Sequence, residues 1–537
     1  MLRCMLEIFL ALVLALGCTS GTSEDSGKQA SQPKAGAHQG GTYRAALPWS
    51  PKSLDPAVAT DIYAVTIIEQ VFDGLVQFDQ HLNVVPALAK DWQVTADGRT
   101  YIFQLRRGVK FHNGRQVTAS DVVYSLRRLL DPDMKASVVN FLTKISGAAE
   151  YRSGRANAVR GLEATGEYTL RIRLQEPFAP FLSVLAMKDC KVVPKEEVES
   201  AGRQFSRHPV GTGPFRFESW SGNKIILAAN NSYYEGPPYL DRLVYNIYPG
   251  AKYEQIFADF KAGRLEEAAV FGSHREEAVK GRAFQFYRKP TLSLQFYGLN
   301  CSKGPLKDRR VRQALNFAID KRRIVREVYG DQFIPAGTIL PPGMPGYTPD
   351  NSMYDYQPTE AKRLLQEAGF SPEGRRLELS LLSASKSAAA QKELALIAAD
   401  LEAVGVDLQI TYETDWPTYE KLLRSENVEV YRYAWFADLP DPDNFLNILC
   451  GSASAYNFMR YHNARVDQLL SQGLTETNVL ERMQVYRLAE RSILDDAPMI
   501  PWIYLTFESV FQPYVKGLEI SALGGPYIPL KRVWLDR

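Results

Sequence analysis

The sequence predicts an α/β fold, and three observations support this class. Residues 377–436 alternate between strand and helix patterns in the order β-α-β-α-β. Short crossovers of this kind build parallel strands with right-handed connections. The chain has 537 residues, which is too long for one ordinary core, so two or three domains are expected. Hydrophobic residues make up 45% and charged residues 23%, which is typical of a soluble globular protein.

The elements of this segment follow from its side-chain patterns. Two stretches alternate as strands do, two others have helical periodicity, and the last is rich in β-branched and aromatic residues. The predicted elements are a strand at 377–382, a helix at 387–404 that stops at Gly405, a strand at 406–412, a helix at 417–424 and a strand at 428–436. Together they predict a parallel sheet in the C-terminal half of the chain.

Charged residues stand at the end of the last predicted strand. Arg432 lies inside this strand, and Asp438 lies just past its end. Ligands on parallel sheets collect in the crevice beyond the carboxyl ends of the strands, so Asp438 is a candidate ligand-binding group. An aspartate before Leu-Pro-Asp-Pro is also typical of an Asx-type turn, and this purely structural role stays open.

The N-terminus has the pattern of an export signal. Arg3 precedes nine apolar residues at 8–16, which are too few to span a bilayer and are typical of a signal peptide. Residues 15–18 (ALGC) resemble a lipobox, which makes Cys18 the expected lipidation site; a plain secretory signal with an incidental cysteine is the alternative. Residues 19–40 are polar without an apolar period and predict a disordered tether. The mature protein is therefore expected outside the cytoplasm, in the periplasm or at the cell surface.

Charge and cysteine content exclude several classes of protein. Lys+Arg number 63 and Asp+Glu 61, a formal net charge of +2, so a nucleic-acid partner is not expected. Beyond Cys18 the mature chain keeps Cys190, Cys301 and Cys450, which allow at most one disulfide and lack the spacing of a metal site. No HExxH or GxSxG motif is present. We therefore predict no catalytic residues, no metal and no cofactor.

Several segments resemble one family, the bacterial extracellular solute-binding proteins of family 5, the oligopeptide/dipeptide type. The resemblance includes 432–445, where Arg432, Trp435 and Asp438 are spaced three residues apart, and it extends from Gly41 to the end of the chain. The other matching segments are 53–56 (SLDP), 86–128, 209–215 (PVGTGPF), 230–238 (NNSYYEGPP), 311–320 (VRQALNFAID) and 461–470 (YHNARVDQLL), the last with Ala464 where the family has proline.

The resemblance implies a periplasmic-binding-protein-like fold with two lobes, a two-stranded hinge and an extra domain in the first lobe. The hinge is expected near Thr291 and residues 502–506, and it would allow closure around a ligand. The implied division is 1–18 signal peptide, 19–40 tether, 41–78 with 188–290 and 505–537 as the first lobe, 79–187 as the extra domain, and 291–504 as the second lobe.

The resemblance also implies a function and a site. Family members of this type capture peptides and deliver them to the permease subunits of an ABC importer, and the aspartate matching Asp438 holds the α-ammonium of the peptide. Arg432 would lie near ligand carboxylates or form an internal salt bridge. Trp435 and Tyr433 would form apolar walls or belong to the core. A lipid-anchored monomer, attached to the membrane through the anchor alone, is expected.

Three other functions remain as alternatives. The same fold in this family also carries non-peptide solutes such as nickel chelates, haem and oligosaccharides. A chain with 61 acidic residues could hold the carboxylate pair of a secreted hydrolase. Asp438, Asp441 and Asp443 could bind calcium, although Pro440 and Pro442 interrupt their spacing and the glycine of a calcium loop is missing.

Overall fold

The computed structural model describes residues 38–134, 136–270, 272–281, 283–425 and 427–537. The predicted signal peptide, the lipidation site Cys18 and the tether up to residue 37 lie outside the described residues. In the described part of the chain no helix is both long and apolar enough to cross a bilayer.

The described residues form twenty-one strands and sixteen α-helices. The strands are β1 (Thr42–Leu47), β2 (Val76–Phe78), β3 (Val84–Pro86), β4 (Ala89–Val94), β5 (Thr100–Leu105), β6 (Leu162–Gly166), β7 (Thr169–Arg173), β8 (Phe215–Ser221), β9 (Lys224–Ala229), β10 (Arg242–Ile247), β11 (Glu267–Ala269), β12 (Gln285–Pro290), β13 (Ser293–Leu299), β14 (Ile334–Pro335), β15 (Leu377–Ser383), β16 (Val406–Tyr412), β17 (Val430–Phe436), β18 (Met499–Tyr504), β19 (Thr506–Phe511), β20 (Val515–Lys516) and β21 (Trp534–Leu535). The helices are α1 (Ile62–Val71), α2 (Ala119–Leu129), α3 (Val139–Leu142), α4 (Ala148–Arg152), α5 (Phe181–Leu185), α6 (Lys195–Ala201), α7 (Tyr253–Lys261), α8 (Gly272–Lys280), α9 (Arg309–Ala318), α10 (Lys321–Tyr329), α11 (Pro358–Glu367), α12 (Ala388–Glu402), α13 (Trp416–Arg424), α14 (Asp443–Cys450), α15 (Ala464–Thr475) and α16 (Val479–Asp496).

Four larger sheets organise the chain. The first lobe contains a sheet in the order β1-β10-β9-β8 and another in the order β11-β19-β12. The extra domain is built on the antiparallel sheet β4-β5-β7-β6. The second lobe contains a six-stranded sheet in the order β14-β18-β13-β17-β15-β16. The α/β class with two lobes and an extra domain is therefore confirmed.

The six-stranded sheet contains the predicted β-α-β-α-β segment. Its strands β15, β16 and β17 are connected by helices α12 and α13, and β15 pairs in parallel with both β16 and β17. Strand β17 also pairs with β13, in the antiparallel direction. The parallel strands predicted from the sequence thus form one half of a mixed sheet.

Two adjacent chain crossings form the hinge between the lobes. Strand β12 pairs with β19 in the first lobe, and their continuations β13 and β18 pair with each other in the second lobe. At the crossing, the Thr291 backbone N–H donates to the Leu505 carbonyl at 2.8 Å, and the Thr291 hydroxyl donates to the same oxygen at 3.0 Å. The Leu505 N–H donates to Ser293 Oγ at 3.2 Å. A rotation at these few residues would move one lobe relative to the other.

The extra domain also contacts the second lobe. Leu82, in the loop between β2 and β3, is 3% exposed and belongs to the hydrophobic core of the second lobe. Conversely, Leu439, which follows Asp438, belongs to the hydrophobic core of the extra domain. The Ala179 N–H donates to the Leu474 carbonyl at 2.8 Å. Each of the two regions therefore contributes one buried leucine to the hydrophobic core of the other.

The three cysteines of the described chain are free thiols. Cys190 and Cys450 are buried, and Cys301 is partly buried. Burial raises the pKa of the Cys301 thiol to about 11, which keeps it protonated near neutral pH. The single disulfide that the sequence would allow is not formed.

Candidate ligand-binding site

Strand β17 has an edge that is only partly paired. Its residues 430–436 all pair with β13, whereas β15 pairs only with Val430 and Tyr431. The Arg432 carbonyl accepts a hydrogen bond from the Tyr419 hydroxyl at 2.5 Å. Within the described residues, no strand pairs with 433–436 on the edge away from β13. An unpaired edge of this kind can accept an extended peptide by strand addition.

Asp438 lies two residues beyond this open edge. Its side chain is exposed, and within the described ranges no Lys, Arg or His forms an ion pair with it. The surrounding protein still desolvates the carboxyl enough to raise its pKa, and a hydrogen bond with the Asn444 side chain opposes that shift. The structure thus places a carboxylate without a cationic partner at the end of an open strand edge.

The loop that carries Asp438 is held on both sides. The Asn444 side-chain oxygen accepts hydrogen bonds from the Asp438 N–H at 3.0 Å and from Trp435 Nε1 at 3.3 Å. Leu439 is buried in the core of the extra domain. Asn444 and Leu439 therefore fix the backbone of this loop, and the Asp438 carboxylate itself is hydrogen-bonded only to the Asn444 side chain among the described residues.

The next two aspartates, Asp441 and Asp443, make their contacts inside the protein. Asp441 forms a two-bond ion pair with Arg482 of α16, at 2.8 and 2.7 Å, and both side chains are buried. Asp443 accepts a hydrogen bond from the Tyr486 hydroxyl at 3.3 Å, and burial together with the charge of Asp441 raises the pKa of Asp443 to about 7. These aspartates do not form the calcium site considered from the sequence, and the described residues contain no cluster of three possible metal ligands.

Arg432 lies on the opposite face of β17 from Tyr433 and Trp435. Its Nε donates to Glu393 of α12 at 2.9 Å, and Glu393 is completely buried. The hydroxyls of Tyr297 and Tyr329 donate to the same carboxylate. Burial, the largest single influence, would lower the pKa of Arg432, but the charge of Glu393, the hydrogen bond with it and the nearby Tyr297 and Tyr329 together raise that pKa. This is the internal salt bridge that the sequence left as one of two alternatives.

The two predicted aromatic residues have different environments. Tyr433 is buried, with its ring centroid 5.9 Å from that of Phe296 and 5.8 Å from that of Phe458. Trp435 is half-buried and makes an edge contact with Tyr456 at 5.4 Å. Tyr433 therefore belongs mainly to the core, while Trp435 keeps a surface that a ligand can reach.

Sequence reasoning missed three exposed aromatic residues around this edge. Trp416 is 49% exposed, Phe436 57% and Tyr456 38%, which is unusual for such large apolar side chains. Trp416 is the first residue of α13, and its ring is tilted against that of Tyr433 with the centroids 5.7 Å apart. Its place directly after β16, at the carboxyl end of a parallel strand, is a signal that could have identified it.

The fold and this site together define the class of protein to which the chain belongs. Two lobes on a two-stranded hinge, with an open strand edge and an unpaired carboxylate on one lobe, are the features of a two-lobed solute-binding protein. The model of the bacterial extracellular solute-binding proteins, family 5 (middle), matches residues 83–457. The chain belongs to this family, whose members serve ABC transporters.

Individual relatives match over most of their length. The chain is 30% identical to Heme-binding protein A of Haemophilus influenzae, covering 97% of each chain. It is also 30% identical to the periplasmic murein peptide-binding protein MppA of Escherichia coli, over 88% of this chain and 89% of the relative.

Two solved structures differ in their similarity to this chain. The unliganded open form of MppA superposes with a TM-score of 0.86 at 28% identity, covering 94% of this chain and 99% of that one. A peptide complex of DppA from Helicobacter pylori gives 0.67 at 26% identity, covering 93% and 99%. The fold is shared with both, and the overall arrangement of this chain is closer to the open form.

The contrast between Asp438 and Asp441 predicts a large loss of stability when Asp441 is replaced and almost no change when Asp438 is replaced. We expect Asp441→Ala to lower the free energy of unfolding by about 3–5 kcal/mol, because it leaves Arg482 buried and unpaired. Asp438→Ala removes an exposed, unpaired carboxylate and should change stability by less than about 0.5 kcal/mol. Urea unfolding followed by circular dichroism measures both. Equal effects of the two substitutions would contradict this division of roles.

Proposed function

We propose that the protein is an extracytoplasmic, lipid-anchored substrate-binding protein that captures short peptides between its lobes and delivers them to an ABC import permease. The observation that carries the proposal is the open edge at 433–436, which ends at the unpaired carboxylate of Asp438. The proposal assigns no catalytic residue and no cofactor, in keeping with a family of solute-binding proteins. We propose a monomer, attached to the membrane only through its anchor.

The geometry suits a ligand that varies in its side chains. All peptides share main-chain groups and a charged amino terminus, so strand addition on residues 433–436 and an ion pair with Asp438 would hold any of them. Closure of the lobes would remove water from the Asp438 carboxylate, which is costly unless a cation pairs with it. The peptide ammonium supplies that cation. Trp416, Trp435 and Phe436 would contact ligand side chains, with water filling the remaining space.

A non-peptide ligand is the second candidate. Heme-binding protein A is among the most similar relatives. The exposed rings of Trp416, Phe436 and Tyr456 could also pack against a flat apolar ligand. Under this alternative Asp438 would have no ammonium partner, so binding would not depend on a free amino terminus.

The ammonium pairing gives a direct test. We expect a tripeptide with a free amino terminus to bind, and its N-acetylated form to bind roughly 30- to 4,000-fold more weakly. This range corresponds to the loss of about 2–5 kcal/mol when one partner of a buried charge pair is removed. Isothermal titration calorimetry with both peptides measures the difference.

The matched control is Asp438→Ala, which should bind both forms with similarly low affinity. Binding of the free peptide to the wild type should also weaken as the pH falls toward the raised pKa of Asp438, since only the ionised carboxylate pairs with the ammonium. Equal affinities of the wild type for the free and acetylated peptides would exclude the assigned role of Asp438.

Closure of the hinge is a separate prediction. The greater similarity to an open relative than to a peptide complex supports a ligand-free chain with separated lobes. We expect a saturating peptide to reduce the radius of gyration in small-angle X-ray scattering, because the lobes would rotate about Thr291 and Leu505. The Asp438→Ala variant at the same peptide concentration serves as the control. An unchanged radius despite measured binding would argue against closure.

The lipid anchor rests on the sequence around Cys18. Metabolic labelling with a fatty acid should tag the protein expressed in a bacterial host, and Cys18→Ala should abolish the tag. Cys190→Ala, which changes a buried thiol of the folded domain, should keep it. A wild-type protein without label would show that the segment is a plain secretory signal.

A further inference from the structure

Three side chains of the first lobe hold segment 330–333 of the second lobe. Each of them donates one hydrogen bond to a backbone carbonyl of this segment. The pairs are Arg275 Nη1 with Gly330 at 3.1 Å, Arg288 Nη2 with Phe333 at 3.1 Å, and the Thr506 hydroxyl with Gln332 at 2.8 Å. These bonds join the two lobes beside the crossing at Thr291 and Leu505.

The backbone of this segment turns sharply at the end of helix α10. Gly330 caps the helix with a φ of 56°, and Asp331 follows with a φ of 58°, in the left-handed region that favours glycine. The carbonyls at the C-terminus of a helix lack partners within the helix and carry the negative end of its dipole. The segment therefore presents hydrogen-bond acceptors and partial negative charge to the donors of the first lobe.

Two arginines of the first lobe share one buried carboxylate. Glu508, whose side chain is 2% exposed, accepts hydrogen bonds from Arg275 at 2.6 and 3.0 Å. Arg288 lies opposite Glu508 in the pairing of β12 with β19, but its Nε is 3.5 Å from that carboxylate and has no hydrogen-bond partner in the described chain. Burial lowers the pKa of Arg288, and the charges of Glu508 and Asp331 oppose this shift. The second lobe therefore supplies acceptors and charge that Glu508 alone does not provide.

These contacts are separate from the proposed ligand site. Segment 330–333 leads into β14, whereas Asp438 follows β17. In the six-stranded sheet, β18 and β13 lie between β14 and β17, so the two features flank the strands that continue from the hinge. Substitutions in these contacts can therefore change closure without removing a side chain that is assigned to the ligand.

The geometry of these bonds depends on the angle between the lobes. Arg288 lies three residues before Thr291, which is about 10 Å along an extended strand. A rotation about Thr291 shifts its side chain relative to segment 330–333, and N–H···O hydrogen bonds require donor–acceptor distances of about 2.7–3.2 Å. The chain is closer in arrangement to the open relative than to the peptide complex. All three bonds are formed in this arrangement, so they favour it.

We propose that Arg275, Arg288 and Thr506, together with segment 330–333, form a latch that holds the lobes apart until a ligand closes them. The latch lowers the fraction of ligand-free molecules that are closed, and the apparent affinity for a ligand falls in proportion to that fraction. It thereby sets how tightly a ligand is captured without contacting the ligand. This role rests on the proposed capture of a ligand between closing lobes.

A double variant tests the latch. Arg288→Met and Thr506→Val each remove one of its bonds and leave the buried pair of Arg275 with Glu508 in place. We expect this variant to bind the peptide Ala-Ala-Ala at least about tenfold more tightly than the wild type in isothermal titration calorimetry, equivalent to about 1.4 kcal/mol. Without ligand, its radius of gyration in small-angle X-ray scattering should be smaller than that of the wild type, because more molecules are closed.

The matched control combines Arg376→Met with Thr411→Val. These residues make the same kinds of bonds within the second lobe, Arg376 with Asp407 and the Thr411 hydroxyl with the Leu381 carbonyl. The control should keep the affinity and the radius of the wild type. If the double latch variant does not fold, Thr506→Val alone should shift both quantities in the same directions.

Two results would overturn the latch. One is an equal ligand-free radius for the wild type and the latch variant, and the other is unchanged or weaker binding of Ala-Ala-Ala by that variant. If the peptide binds neither the wild type nor the variant, the proposed capture of peptides fails. The ligand-free radii then still decide whether the latch holds the lobes apart.

Discussion

The pairing of two chain crossings, 214 residues apart in the sequence, is the constraint on which the rest of the structure depends. Thr291 and Leu505 meet at the point where two strands leave one sheet and enter another. Because β19 completes a sheet with β11 and β12, the first lobe cannot form its second sheet until the chain is nearly finished. The same closeness of the crossings makes a rotation of the lobes possible, since few residues must change their backbone angles.

Residues 432–441 contain charged side chains of two kinds. Two of them form ion pairs that stabilise the fold, and a third is available to a ligand. Arg432 and Asp441 both form ion pairs with partners in distant helices, and these pairs fix the two ends of the stretch. Asp438, between them, has its backbone held by Asn444 while its carboxylate stays unpaired. A rigid backbone with a free functional group limits the entropy lost on binding, which favours affinity.

Local patterns were sufficient to predict the parallel strands of the second lobe and the place of Asp438 beyond the last of them. They could not show that β15 pairs with only two residues of β17, because the extent of pairing depends on tertiary geometry. The partner of Arg432 is 39 residues away on a helix, so its internal role was one of two equal alternatives. The exposure of the Trp416 ring is also a tertiary property, because it depends on which distant segments leave that side chain uncovered.

The extra domain and the second lobe each bury a leucine in the other's core, and this affects how the protein unfolds. Leu82 completes the core of the second lobe, and Leu439 completes the core of the extra domain. If either region lost its structure, the other would expose an apolar side chain worth about 1.5–3 kcal/mol of burial. Loss of structure in one region therefore destabilises the other, even though the chain builds the two regions from separate segments.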